Sequence, residues 1–209
     1  ASLQTGLYPS KTGMMTNNLV QHLTDGPELL SRRLLARGYS VGYTGKWHLG
    51  DGPTLVGYEG DDFPGHGLGG HIFESYRRYL RDNGLEHKIG PKIGGHYDGH
   101  YAAEELSGVE STVDYFLVER AIGWLDRFKR RDRPFFFQLN FWGPHEPYLA
   151  PKEYLDLYRD ADIEPWPNFR DDGAGKPAIH RVKRANATDW PTFAPLVKHY
   201  YAFMSAIDA

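Results

Sequence analysis

Gly42-Tyr43-Thr44-Gly45-Lys46-Trp47-His48-Leu49-Gly50 sets a cation and an imidazole two residues apart between glycines. Upstream, Leu29, Leu30, Leu34 and Leu35 on one side and Arg32, Arg33 and Arg37 on the other recur at helical spacing, and Gly38 supplies a stop. The pattern predicts a helix over 29–37, a short strand over Tyr39–Thr44, and a loop that carries Lys46, Trp47 and His48. An α/β sheet presents groups in that order at the carboxyl end of a strand, where its ligands usually bind.

A phosphate-cradling loop would need a glycine five residues before Gly45 and Ser or Thr after Lys46, but the chain has Ser40 and Trp47 there. A surface turn with a solvated lysine and a half-buried tryptophan is the plainer alternative, and spacing alone does not separate it from a functional loop.

The surrounding chain has 209 residues, 40% of them hydrophobic and 14% aromatic, with a net charge of −3. That suits one globular domain or a large part of one. No apolar run reaches the ~20 residues of a membrane span. The mildly acidic balance gives no basic face for nucleic acid; Lys129, Arg130, Arg131 and Arg133 decorate a helix end. With no cysteine, disulfides and thiolate metal sites are excluded, while the compartment stays undetermined.

Ala1–Gly13 opens in mid-element, with Leu3 and Leu7 at helical spacing. Residues 51–71 read as loop, and their Gly65, Gly67 and Gly70 only imitate a dinucleotide fingerprint, because no strand precedes them. A helix is expected over Phe73–Arg81, ended by Asn83 and Gly84. His87, His96 and His100 fall in a Gly-rich stretch; the last two are spaced for one metal on a helix, but Asp98 and Gly99 between them favour loop histidines.

Ser111 and Asp114 resemble a capping box, and Val113, Phe116, Leu117, Ala121, Leu125 and Phe128 form one apolar helix face. The run Phe135–Phe141 has the length and composition of a central strand covered on both faces. It leads into Trp142-Gly143-Pro144-His145-Glu146-Pro147, a Pro-bracketed loop with a histidine. If both strands run parallel in one sheet, Lys46, His48 and His145 project from the same edge. For His145 the plainer alternative is a turn imidazole bonded to a neighbouring carbonyl. Residues 151–192 read as an ordered polar excursion with Trp166 and Trp190 as isolated anchors. Leu196, Tyr200, Phe203, Met204 and Ile207 then mark a last amphipathic helix.

Together, Ala1-Ser2-Leu3-Gln4-Thr5-Gly6-Leu7-Tyr8-Pro9, the Gly42–Gly50 stretch, Pro144-His145-Glu146-Pro147 and Tyr200-Tyr201-Ala202 through Ile207-Asp208 resemble the sulfatase family of the alkaline-phosphatase-like superfamily. The resemblance implies an α/β fold with a mostly parallel central sheet flanked by helices, incomplete here. Residues 1–209 are then expected to be part of a catalytic N-terminal domain cut at both ends. In this family a Cys or Ser becomes formylglycine and is followed, after one residue, by Pro, Ser and Arg. The segment matching Ala1–Gly6 comes just after that arginine, so the nucleophile is expected upstream, and Ser2 is not it.

By the same resemblance Lys46 contacts a sulfate oxygen, His48 contacts the formylglycine hydroxyl and helps expel sulfate, and His145 holds the sulfate or protonates the departing oxygen. A divalent metal, Ca2+ by family pattern, is expected in the full-length enzyme with ligands outside this chain; Asp82-Asn83-Gly84 only imitates a late metal motif and reads as a turn. The expected function is hydrolysis of a small-molecule or glycan sulfate ester, after maturation by a formylglycine-generating or equivalent enzyme, and residues 1–209 alone are expected to be inactive. A phosphonate or phosphate ester hydrolase of the same superfamily remains an alternative, as does a dead anion- or glycan-binding module.

Overall fold

The strand β1 (Ser40–Trp47) organises the part of the molecule that carries Lys46. The computed structural model describes residues 1–15, 22–23, 28–64, 73–94, 101–180 and 189–209. They fall into two units: Ala1–Gly84 with Val113–Trp142, and Leu85–Thr112 with Gly143–Ala209. The pattern Gly65, Gly67, Gly70 and the pair His96 and His100 lie outside the described residues.

In the first unit, α1 (Ser2–Thr5), α2 (Pro9–Thr12) and α3 (Leu30–Ala36) precede β1. Along one edge of β1 runs β5 (Phe135–Asn140), parallel and in register from Ser40↔Phe135 to Gly45↔Asn140. At Gly42–Tyr43 the other edge takes β2 (Glu59–Gly60), and β3 (Phe63–Pro64) pairs with Lys46–Trp47; both are parallel to β1.

Alternation along β1 sends Val41, Tyr43 and Trp47 to one face, where they join Leu23, Leu29, Val56 and Tyr58 in a buried cluster. Tyr43 meets Trp47 and Tyr58 edge-on at 5.2 and 5.4 Å. On the opposite face Gly42 leaves room for an aromatic floor: a Cβ there would stand 2.5 Å from both Phe128 and Phe137. Phe128 belongs to α5 (Val113–Lys129), so helices cover both sides of the central strand, as a parallel sheet requires. The helix α4 (Glu74–Asp82) packs beside α5 through Tyr76 and Tyr79 against Phe116, at 5.7 and 5.4 Å.

Several expectations need correction. The polar loop begins later than its glycines suggest, because pairing with β3 extends β1 through Lys46 and Trp47. Trp47 is wholly buried, not half-buried. Residues 51–64 are not simply loop: they hold a 3-10 turn (Pro53–Val56) and the two short strands. At the N-terminus Leu3 and Leu7 are exposed while Gln4 is buried, and on α3 the exposed Leu35 contrasts with the buried Ser31, whose hydroxyl donates to the Val56 carbonyl at 2.5 Å. The strand β5 is only partly covered, with Phe135 exposed, and among the described residues it pairs with β1 alone. On α5, Leu125 is exposed although the rest of its apolar face is buried, and the helix starts at Val113, one residue later than a Ser111 cap implies. By contrast, Asp82-Asn83-Gly84 is the helix end and turn that the sequence suggested: the Asn83 amide donates to the Tyr79 carbonyl at 2.8 Å and Gly84 takes φ 65°.

One carboxylate, in the connection between β2 and β3, ties β1 to α5. Asp61 accepts from Thr44 Oγ1 on β1 at 2.7 Å, from Trp124 Nε1 at 3.2 Å, and from the Arg120 guanidinium, the last two on α5.

The second unit holds β4 (Ala102–Glu105) parallel to β6 (Tyr148–Pro151), then α6 (Lys152–Asp156) and the long α7 (Trp190–Asp208). Asp189 caps α7 by accepting from the Thr192 amide at 3.0 Å. Phe203 and Ala202 of α7 pack on Ala150 with Tyr148, Tyr154, Leu155, Tyr158 and Ile207 around them. Met204 stays exposed. Trp166 and Trp190 are not isolated: their rings lie 5.4 Å apart, and Phe169 and Phe193 complete an aromatic cluster. Among the described residues no helix is long and apolar enough to cross a membrane.

Candidate active site

The end of β1 is shaped by what Gly45 permits. It adopts φ 104°, a region that side chains disfavour, and a Cβ would stand 1.8 Å from the Asn140 carbonyl oxygen. With Trp47 turned into the core, Lys46 leaves on the opposite face, the one Thr44 shares. The Lys46 carbonyl is fixed by the Tyr43 hydroxyl, which donates to it at 2.6 Å, and by the Asn140 amide at 3.4 Å. Burial raises the Tyr43 hydroxyl far above the ordinary tyrosine range, so it remains a donor.

His48 follows the last residue of β1 and is half-buried, as Lys46 is. The turn beyond it is anchored: the Leu23 amide donates to the Leu49 carbonyl at 3.0 Å, and His22 Nδ1 lies 3.2 Å from an Asp51 carboxylate oxygen. Gly50 makes the approach possible, since a Cβ there would come 2.8 Å from His22 Cα.

His145 belongs to the second unit. Its loop contains cis peptide bonds at Gly143-Pro144 and Glu146-Pro147. Gly143 sits directly on α7, where a Cβ would meet Ile207 at 2.3 Å and Phe203 at 2.7 Å. His145 Nδ1 is 2.8 Å from the Glu146 carbonyl oxygen. A carbonyl only accepts, so Nδ1 carries the proton and Nε2 is the atom left for other work. The side chain is 59% exposed. The plainer expectation for this residue, an imidazole on a neighbouring carbonyl, and a functional one are thus compatible. Lys46 and His48 share one segment of the first unit, and His145 stands in the other.

His87, read as a loop histidine, places Nδ1 2.7 Å from the Glu105 carboxylate, which is itself buried and also accepts from the Ser107 amide at 3.1 Å. Among the described residues no three His, Asp or Glu side chains converge as a metal site needs. Sequence reasoning missed Tyr43, Asn140 and Gln138 as supports of Lys46. Two polar residues spaced by two inside an apolar strand were the available signal, because that spacing puts them on one face.

A family model described as Sulfatase matches residues 1–209. The chain is 28% identical over 186 residues to the Uncharacterized sulfatase YidJ of Escherichia coli strain K12, covering 87% of this chain and 35% of that one. It is 30% identical over 175 residues to the Ulvan-active sulfatase of Formosa agariphila, covering 80% of this chain and 30% of that one. The chain thus spans about a third of the length of these curated relatives. In structure it is similar to the putative sulfatase yidJ from Bacteroides fragilis, with TM-score 0.53 and 18% identity over 99% of this chain and 44% of that one. The parallel sheets with flanking helices are accordingly part of an alkaline-phosphatase-like fold.

Proposed function

This chain belongs to the sulfatase family, and on that premise we propose that it is a segment of a sulfuric ester hydrolase whose formylglycine nucleophile lies upstream of Ala1. The observation that carries the reading is the end of β1, where a lysine and a histidine sit two residues apart at the carboxyl edge of a central parallel strand, held by a fixed backbone. Cleavage of a sulfate ester moves negative charge onto the nonbridging and leaving oxygens, so the site needs positive donors set in place beforehand. Lys46 is the compact point charge for a sulfate oxygen. His48 contacts the formylglycine hydroxyl and helps expel sulfate from the covalent intermediate. His145 protonates the departing oxygen or holds the sulfate; its Nδ1–H is bonded to the Glu146 carbonyl, so the task falls to Nε2. That nitrogen donates only when the ring is imidazolium, and the ring is left as the neutral Nδ1–H form once the proton has gone to the leaving oxygen.

The family generally uses a metal; Ca2+ is the ion we propose for the longer protein, with ligands outside residues 1–209. A maturation enzyme that generates formylglycine is the proposed partner. The substrate we propose is a sulfate ester on a glycan, supported by the Ulvan-active relative. Residues 1–209 alone are proposed to be inactive.

The test compares aryl sulfates with phosphonate monoesters as substrates of the full-length protein. Preferential turnover of sulfate is expected. Preference for phosphonate would move the assignment to the neighbouring ester hydrolases, and binding of sulfated glycan without any turnover would leave a dead anion-binding module.

A further inference from the structure

A directed line of hydrogen bonds crosses the first unit and ends on the Lys46 carbonyl. Tyr58 OH donates to Gln4 Oε1 at 2.7 Å, Gln4 Nε2 to Gln138 Oε1 at 3.0 Å, and Gln138 Nε2 to Asn140 Oδ1 at 3.2 Å. Asn140 Nδ2 then donates to the Tyr43 hydroxyl, which donates to Lys46 O at 2.6 Å. Each amide accepts on one side and donates on the other, so every dipole points the same way and each bond polarises the next. Gln4, Tyr43 and Tyr58 are 4%, 1% and 3% exposed. Apolar side chains of similar shape would pack at these positions without the desolvation that buried amides incur. What the polar line adds over such packing is orientation.

We infer that Gln4, Gln138, Asn140 and Tyr43 are positioning residues, a relay that sets the peptide plane after Lys46 and ties the Lys46–His48 segment to α1. Its catalytic significance rests on the reaction proposed above, in which the nucleophile lies just before α1. Rotating that peptide plane would swing the ammonium and the imidazole relative to the helix, and misplacement by about 1 Å can cost up to about 10²-fold in rate.

The relay has a polarity, and the polarity can be reversed without changing shape. In Gln138→Glu the introduced carboxylate accepts from both neighbours. Asn140 must then turn its NH2 toward it and its Oδ1 toward Tyr43, whose hydroxyl donates to Asn140 instead of Lys46. In the full-length enzyme, kcat/KM for a small aryl sulfate is expected to fall about tenfold in Gln138→Glu and in Tyr43→Phe, and no further in the double variant. The Gln138→Glu loss should recede at pH low enough to protonate the carboxyl, which can then donate again.

The amide 15N shift of Trp47, which reports the hydrogen bond at the Lys46 carbonyl, should move alike in both variants. Wild-type kcat/KM and an unmoved Trp47 shift in folded Gln138→Glu, with only a lowered Tm, would reduce the line to a structural feature. Should that variant not fold, Tyr43→Phe adds no charge and carries the same readouts. If the wild-type enzyme hydrolyses no sulfate ester, the proposed function falls, and the Trp47 shift alone decides whether the relay holds the strand end.

Discussion

Gly45 of β1 and Asn140 of β5 approach until a methyl group on the glycine would overlap the asparagine carbonyl oxygen, at 1.8 Å. The contact is backbone against backbone at the last pair of the parallel ladder, so no side chain can yield to relieve it. Gly45→Ala also forces a side chain into φ 104°. The expected outcome is a loss of about 3 kcal/mol or more, read as a lowered denaturant midpoint with the slope unchanged. A shift below about 0.5 kcal/mol would mean that β1 and β5 do not close this tightly in solution.

Glu59 and Arg131 form a two-pronged pair whose Nη2 to Oε2 bond is 2.7 Å. Hydrogen bonding from Arg131 holds the Glu59 carboxyl below its ordinary 4.5. A carboxyl more acidic in the folded than in the unfolded chain adds stability above its unfolded value, and loses it as pH falls through the folded one. Glu59→Gln should therefore destabilise at pH 7, by under about 1 kcal/mol because the pair is roughly a third open to solvent. The gap between the two proteins should close in acid as pH drops from 4.5 through the lowered value. A gap independent of pH would remove the ion pair as its cause.

Much of this architecture is legible from the chain itself. The helical spacing around Leu34, the apolar face of α5 and the apolar run of β5 each announce an element, because burying one face of a helix or a strand writes a period into the sequence. What stays hidden has physical reasons. Two-residue strands such as Glu59–Gly60 and Phe63–Pro64 are too short to carry a period, yet the second of them, by pairing with Lys46 and Trp47, decides that Lys46 sits in a strand. Gln4 is buried because Tyr58 and Gln138, 54 and 134 residues away, satisfy its amide, and no local pattern records such partners. The same holds for His87 beside Glu105. Of the three residues proposed for the site, Lys46 and His48 were singled out because glycines frame them, and His145 because prolines do; whether they act together is left to the kinetic tests.

His145 offers a separate prediction about leaving groups. If its imidazole gives a proton to the departing oxygen, His145→Ala should slow esters of weakly acidic alcohols by about 10²-fold and esters of acidic nitrophenols far less, since the latter leave as anions unaided. Plotting log kcat/KM against leaving-group pKa for the two enzymes checks this. Parallel lines would assign His145 to holding sulfate instead.

The most direct test lies in one side chain. Lys46→Ala in the full-length protein, assayed for aryl sulfate hydrolysis at saturating and limiting substrate with folding verified by circular dichroism, is expected to lose about 10²–10³-fold in kcat/KM. Lys46→Arg should recover only part of it, because a planar fork replaces a point charge. Activity of folded Lys46→Ala within about threefold of wild type would contradict the account, for the end of β1 would then present no charge that the reaction needs.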